Sequence, residues 1–418
     1  MDFKYLIIGG GVAGTTASNA IRQNDSQGSI TIVSDEPHYL YSRIMLSKPN
    51  FFLGKIPFEQ IWLKDKSWYE QNKIEFIGGK KAIQLDPDKK IIKLDDDTEI
   101  KYDKLLLATG LNARHLSVPG ADKQGVFYLR TLDHGKSIIE AVSSVKKAVA
   151  IGGGFISFEM ANLLQLSGAE VSIIIRESLF WDPILDATAS KIVETAITKA
   201  NVKIVRNAEI KQVGGNSHVT SVTLSDNTTL PCDMVICGIG ANCDTGWLKK
   251  SGLKTDRAIL ADQYLKTNLP DVWSAGDATA FDDPILQEIV HLGNWVNAQE
   301  QGRIAGLNMV GQKQSFTFVS YYTTHGFDIS VTFIGNVRPK NEFQTIVRSG
   351  PGEGVHTQLL VINDELVGAV LINQTQILRP ITQLIEKNVN MADKHEQLSD
   401  PNFDLNTLIP QQPSCPTN

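Results

Sequence analysis

Lys4-Tyr5-Leu6-Ile7-Ile8-Gly9-Gly10-Gly11-Val12-Ala13-Gly14 decides the fold. It reads as a short apolar strand running into a glycine-rich turn, with a helical pattern after it from Thr15 to Arg22. Each small residue has a separate reason. Gly9 permits the tight turn, Gly11 lets the backbone approach a pyrophosphate, and Gly14 keeps the helix close to the strand. The helix N-terminus then faces the anion. One such match is weak, because glycine turns after strands are common. The second strand, Ser29-Ile30-Thr31-Ile32-Val33, ends at Ser34-Asp35-Glu36, about where an acidic ribose-binding residue belongs.

The same unit occurs again. Lys147-Ala148-Val149-Ala150-Ile151-Gly152-Gly153-Gly154-Phe155-Ile156-Ser157 is also strand, glycine turn and helix, with Gly152, Gly154 and Ser157 at the three small positions. Two copies in one chain predict two parallel-sheet domains, each able to hold a dinucleotide.

Bulk properties agree with a multidomain globular protein. The 418 residues suggest about three domains, and 42% hydrophobic with 21% charged residues is ordinary for a soluble chain. A net charge of −6 argues against a general nucleic-acid binder, although a local basic patch could still dock an acidic protein. No signal-peptide pattern opens the sequence and no apolar run is long enough to span a bilayer, so a cytoplasmic location is expected.

The four cysteines are too few for a disulfide scaffold. Cys232 and Cys237 lie in a strand-like run, where an odd separation would send their side chains to opposite faces. The histidines are scattered and none pairs with a cysteine at zinc spacing, so no metal site is expected.

Further signals follow in order: Leu107-Ala108-Thr109-Gly110 after a strand, then Cys237-Gly238-Ile239-Gly240, then Ser274-Ala275-Gly276-Asp277. This order resembles the FAD-dependent pyridine nucleotide-disulfide oxidoreductases, over nearly the whole chain. Tyr41-Ser42-Arg43-Ile44-Met45-Leu46-Ser47-Lys48 narrows the likeness to the ferredoxin, rubredoxin and putidaredoxin reductase branch. Disulfide reductases carry cysteines in this region, and this chain has none there. Leu129-Arg130-Thr131 resembles the link into the second domain, and Trp295-Val296-Asn297-Ala298 the helix whose N-terminus faces the flavin pyrimidine edge.

The resemblance implies an α/β fold: two Rossmann-like dinucleotide-binding domains in three layers, followed by a C-terminal α+β interface domain. The expected boundaries are 1–113 with 246–318 for FAD, 114–245 for NAD(P)H, 319–409 for the C-terminal domain and 410–418 for a tail. It further implies that Gly9, Gly11, Ala13 and Gly14 cradle the FAD pyrophosphate, that Asp35 or Glu36 holds the ribose, and that Arg43 neutralises phosphate. Thr109 and Gly110 would border the adenine, Ala82 would also contact the FAD, Asp277 would bond the ribitol, and Trp295 and Val296 would lie at the flavin. Gly152, Gly154, Phe155, Ile156, Ser157, Arg176 and Gly238 would bind NAD(P)H. Arg176 ends its strand as Ile-Arg does in the NADPH-using glutathione reductases, which favours NADPH, while Glu177 beside it argues the other way. Lys48 and Glu159 match the catalytic pair at the flavin N5, the carboxylate holding the lysine and able to swing aside.

The function implied is electron transfer from NAD(P)H through FAD to a one-electron carrier, ferredoxin or rubredoxin. The alternatives are reduction of a small radical or quinone, as in monodehydroascorbate reductase, and an apoptosis-inducing-factor-like redox sensor. A homodimer stays open. One departure bears on the acceptor: Tyr321-Tyr322-Thr323-Thr324-His325 stands where reductases of this branch tend to have Trp/Phe-Ser-Asp, near the flavin's benzenoid edge.

Overall fold

The computed structural model describes residues 2–338, 342–350 and 352–410, so most of the expected tail lies outside the described residues. The opening strand, Asp2–Ile8, is central in its sheet, with Ile30–Ser34 on one side and Glu99–Leu107 on the other, both parallel to it. Ile74–Gly78 extends the sheet beyond Ile30–Ser34. Val272–Ser274 returns from far down the chain to pair with the second half of Glu99–Leu107. Because both faces are covered, these strands read as continuous apolar runs. Leu6, Ile7, Leu105, Leu106 and Leu107 are all fully buried.

The first glycine turn leads into helix Val12–Asn24, three residues earlier than the periodicity suggests, so Gly14 lies inside the helix. This helix packs against helix Trp295–Met309 at very short range. A Cβ at Gly302 would lie 2.2 Å from the Ala13 carbonyl oxygen, and one at Gly306 2.6 Å from that of Ala17.

A second sheet is wholly parallel, in the order Lys203–Val205, Glu170–Ile174, Lys147–Ile151, Met234–Cys237, Val126–Phe127. Its second glycine turn leads into helix Phe155–Leu166. The run from Cys232 to Cys237 is not one strand. Thr229–Pro231 belongs to a separate antiparallel sheet, the chain turns at Cys232-Asp233, and only Met234–Cys237 enters the parallel sheet. Both thiols therefore enter one apolar cluster instead of facing opposite ways.

The C-terminal sheet is antiparallel, in the order Tyr321–Gly326, Ile329–Gly335, Glu365–Ile372, His356–Ile362, Gln344–Arg348. Helix Leu378–Glu386 covers one face through Ile381, Leu384 and Ile385. The other face joins the second sheet's core: Val331, Phe333, Val370 and Ile372 share a cluster with Phe158 and Trp181.

Candidate functional site

The two glycine turns have the same construction. Gly9 has φ +121°, and a Cβ there would lie 2.1 Å from the Ala108 carbonyl oxygen. A Cβ at Gly14 would lie 2.0 Å from the Gly9 carbonyl oxygen, so neither glycine can be replaced without displacing backbone. Above Gly11 the space is open, with no atom within 4 Å of an added Cβ. In the second turn Gly152 has φ +107° and lies against the Gly238 carbonyl, while Ser157 donates to the Ile151 carbonyl at 2.9 Å. Each helix starts on a glycine, Gly11 or Gly154, with no side-chain cap on its free amides. Uncapped amides beside open space are what an incoming pyrophosphate requires. Each turn therefore has the form that a dinucleotide pyrophosphate needs.

Beside the first turn is a small cleft bordered by Gly9, Asp35, Ala82, Thr109 and Gly110. Asp35 faces it. Glu36 does not stand free: its carboxylate accepts from Arg43 at 2.6 Å and from the Tyr41 hydroxyl at 2.7 Å. Burial pushes this carboxyl up, but Arg43 and the Tyr41 hydroxyl outweigh it and hold the group below its ordinary value. Arg43 also donates to the Arg130 carbonyl at 2.5 Å and stacks over the Tyr41 ring, so its charge is already matched within the protein. Asp277 lies 3.7 Å from the Arg130 guanidinium, and its carbonyl contacts His291 at 2.7 Å. Burial first, and then the neighbouring Arg43, lower the Arg130 pKa. Trp295 and Val296 start their helix half-buried, with Asn294 as cap.

A larger cleft of about 720 Å³ opens at the second turn. Gly152, Gly154 and Gly238 form one wall and Trp181, Asp182, Pro183 and Ile184 line the cleft as well, with Arg176 and Glu177 at the end of the strand. Arg176 is mostly exposed and only loosely paired with Glu177, at 3.8 Å. Phe155 and Ile156, in the first turn of the helix, are half-buried. Phe155 meets Tyr322 edge-on at 4.8 Å.

Lys48 and Glu159, 111 residues apart in the chain, come together at 2.5 Å. Glu159 is only 5% exposed. Its Oε1 also accepts from the Thr324 hydroxyl at 2.8 Å, and its Oε2 from the Ser47 hydroxyl. Three donors from two segments, the adjacent Ser47 and Lys48 and the distant Thr324, fix the carboxylate, so Lys48, whose side chain is 29% exposed, is the freer member of the pair. A carboxylate swinging aside would have to break all three contacts.

Sequence reasoning did not assign Ser47, Thr324 or Arg130. All three stand inside stretches that the family resemblance singles out, but the carboxylate each one meets is visible only in the packed structure. Among the described residues no cluster of three side chains could hold a metal, and no helix is long and apolar enough to cross a membrane. Burial pushes the thiols of Cys232 and Cys237 up to about 12, so neither is poised for exchange.

Two uncapped glycine turns facing separate clefts, with an ion pair between them, define an oxidoreductase that handles two dinucleotides. The chain belongs to the pyridine nucleotide-disulphide oxidoreductase family, whose model matches residues 3–302. A model for the rubredoxin NAD+ reductase C-terminal domain matches residues 323–389. A rhodocoxin reductase from Rhodococcus erythropolis is 28% identical over 97% of this chain and 94% of its own. A nitrite reductase [NAD(P)H] from Bacillus subtilis is 27% identical over 93% of this chain, which spans only 48% of that relative. The ferredoxin reductase for the CYP199A2 system of Rhodopseudomonas palustris superposes with a TM-score of 0.89 at 26% identity, over 97% of this chain and 99% of that one. The protein is an FAD-dependent oxidoreductase that uses a pyridine nucleotide.

Proposed function

We propose that this protein moves reducing equivalents from NAD(P)H through FAD to a small iron–sulfur carrier of the ferredoxin or rubredoxin kind. The observation that carries the reading is the Lys48–Glu159 pair, its carboxylate buried where helix Phe155–Leu166, the Arg43–Lys48 stretch and the C-terminal sheet meet, in a place with no thiol. FAD, when bound, accepts a hydride and releases its electrons singly. Everything else is the work of side chains. Glu159, gripped by Ser47 and Thr324, orients Lys48, and the ammonium supplies positive charge where the hydride's negative charge arrives. Gly9, Gly11, Ala13 and Gly14 leave room for the pyrophosphate, Asp35 takes the ribose, Ala82, Thr109 and Gly110 border the adenine, and Asp277 takes the ribitol. Glu36 and Arg43 act together as a neutral brace beneath that site. The rhodocoxin and ferredoxin reductases among the relatives support a carrier protein as acceptor.

For the nucleotide our reading is NADPH. Arg176 stands exposed at the cleft, and Arg114 and Arg338 line it as well, so a 2′-phosphate has guanidinium groups to meet there, beside the carboxylates of Glu177, Asp182 and Glu209. We read residues 1–113 with 246–318, 114–245 and 319–409 as the three folding units, a division that keeps each of the three large sheets within one unit. The test is reduction of purified ferredoxins and rubredoxins by NADPH or NADH, followed through cytochrome c. Turnover with quinones and none with any carrier would replace this reading by direct small-molecule reduction.

A further inference from the structure

The wall of the larger cleft formed by Trp181, Asp182, Pro183 and Ile184 lies on an irregular segment between strand Glu170–Ile174 and helix Ala187–Lys199. Local contacts hold its beginning and close a turn in its middle, where the Ile184 amide donates to the Trp181 carbonyl at 2.7 Å. The Phe180 amide donates to Glu194 at 2.9 Å, and Ser190 donates to the Phe180 carbonyl at 2.9 Å. Trp181 itself has φ +62°, a conformation that a bulky side chain keeps only when its surroundings impose it.

The end of the segment is held from elsewhere. Gln358 accepts from the Asp186 amide at 2.9 Å and donates to the Ile184 carbonyl at 3.1 Å. His356 Nε2 contacts Asp186 Oδ2 at 2.8 Å. The other oxygen of Asp186 caps the helix by accepting from the Ala189 amide at 2.7 Å. His356 and Gln358 are two apart on one strand of the C-terminal sheet and so share a face. They are 2% and 4% exposed. Trp181 also meets Phe333 of that sheet edge-on at 5.6 Å.

Apolar residues would have joined the two units at lower desolvation cost; this polar set, in which His356 Nδ1 alone is left without a partner, adds fixed geometry. We propose that His356 and Gln358 are positioning residues for the nucleotide cleft, acting through Asp186 and Ile184 to hold its Trp181–Ile184 wall in place. The C-terminal sheet then serves the site twice: through Thr324 it fixes Glu159, and through His356 and Gln358 it fixes the wall over the second glycine turn. This rests on the NAD(P)H reading above.

The experiment uses the FAD-loaded protein and titrates it with NADP+ and with NAD+ by calorimetry. Gln358→Met keeps the side-chain shape and removes both of its hydrogen bonds. Asp186→Asn keeps a capping side chain and removes the charge facing His356. Gln358→Met should weaken binding of the preferred nucleotide at least fivefold, and Asp186→Asn less. Flavin content, and the rate of flavin reduction at saturating NAD(P)H, should stay within twofold of the parent. Ile381→Val, in the core on the far side of the same sheet, controls for general loosening and should leave the affinity unchanged. Parental affinity in both clasp variants overturns the proposal, and so does equal weakening in Ile381→Val. A parent protein that binds neither nucleotide and is reduced by neither refutes the functional reading instead, a result distinct from failure of the clasp.

Discussion

Among the described residues, replacing Lys48 by Met removes the one cation that touches Glu159 and leaves its carboxylate to two hydroxyl donors, Ser47 and Thr324. Breaking a fully buried ion pair costs about 3–5 kcal/mol. Here the remaining donors and the 29% exposure of Lys48 reduce that figure. A hydrogen bond to a charged group contributes about 1.5–3 kcal/mol, and a coupling in that range is expected between Lys48→Met and Glu159→Gln. The assay is a double-mutant cycle on urea unfolding of the FAD-loaded protein. The kinetic consequence is separate. With the positive charge gone, stopped-flow reduction of the flavin by NAD(P)H should slow about ten- to a hundredfold, equivalent to about 1.4–2.8 kcal/mol in the barrier. Flavin content should not change. Parental reduction rates in both variants would refute the role assigned to the pair, even if the stability coupling were found.

The first turn supplies a sharper pair of variants. Gly11→Val points into open space and should fold yet carry no FAD, whereas Gly9→Ala collides with the Ala108 carbonyl and should fold poorly whether or not flavin is added. Thermal unfolding and flavin content of denatured extracts separate the two; a Gly11→Val protein with about one FAD per chain would overturn the pyrophosphate assignment. Arg176→Ala should lower kcat/KM for NADPH by about ten- to a hundredfold, the loss of one charge-assisted contact. NADH use should hardly change, and equal effects on both would remove Arg176 from recognition. Glu36 has a depressed folded-state pKa, so its contribution to stability is complete above the ordinary carboxylate value of about 4.3 and is lost as pH falls through the lower folded value. Glu36→Gln, which leaves Arg43 without its counter-charge, should lose about 3 kcal/mol at neutral pH and flatten this acid limb. An unchanged acid profile would mean that other carboxylates control it.

What could be read from the sequence was whatever local chemistry dictates. The two glycine turns were legible because Gly9 and Gly152 need positive φ and Gly14 and Ser157 need small volume, requirements that no neighbour relaxes. The strands after them were legible because both their faces are buried. The Lys48–Glu159 contact was reached only by resemblance, since 111 residues separate its members. Thr324 lies in a stretch placed near the flavin, but its bond to Glu159 could not be foreseen: a threonine on a strand shows nothing of the carboxylate that helix Phe155–Leu166 brings to it. Glu36 illustrates the converse. Its position after the second strand suggests a free ribose ligand, but Tyr41 and Arg43, five and seven residues on, take up its oxygens. The run from Cys232 to Cys237 misled because an apolar period cannot reveal a turn at Asp233, whose carboxylate is held by the amides of Lys146 and Lys147.

The return of Val272–Ser274 to the first sheet has a consequence for how the chain is born. The parallel sheet containing Lys147–Ile151 uses residues contiguous in sequence, from 126 to 237, and has every strand in hand before the ribosome reaches residue 272. The first sheet does not. Its edge beside Leu105–Leu107 stays open, and Ala13 and Ala17 stay uncovered, until Val272–Ser274 and then Gly302 and Gly306 have emerged. At about 5–20 residues per second, that interval lasts on the order of ten seconds or more after the first glycine turn is made. The unit begun first is thus finished late, and the central segment folds inside it like an inserted guest. Flavin capture belongs to the end of synthesis. A chain truncated before residue 302 would carry every residue of the first glycine turn and still lack the helix that seats it.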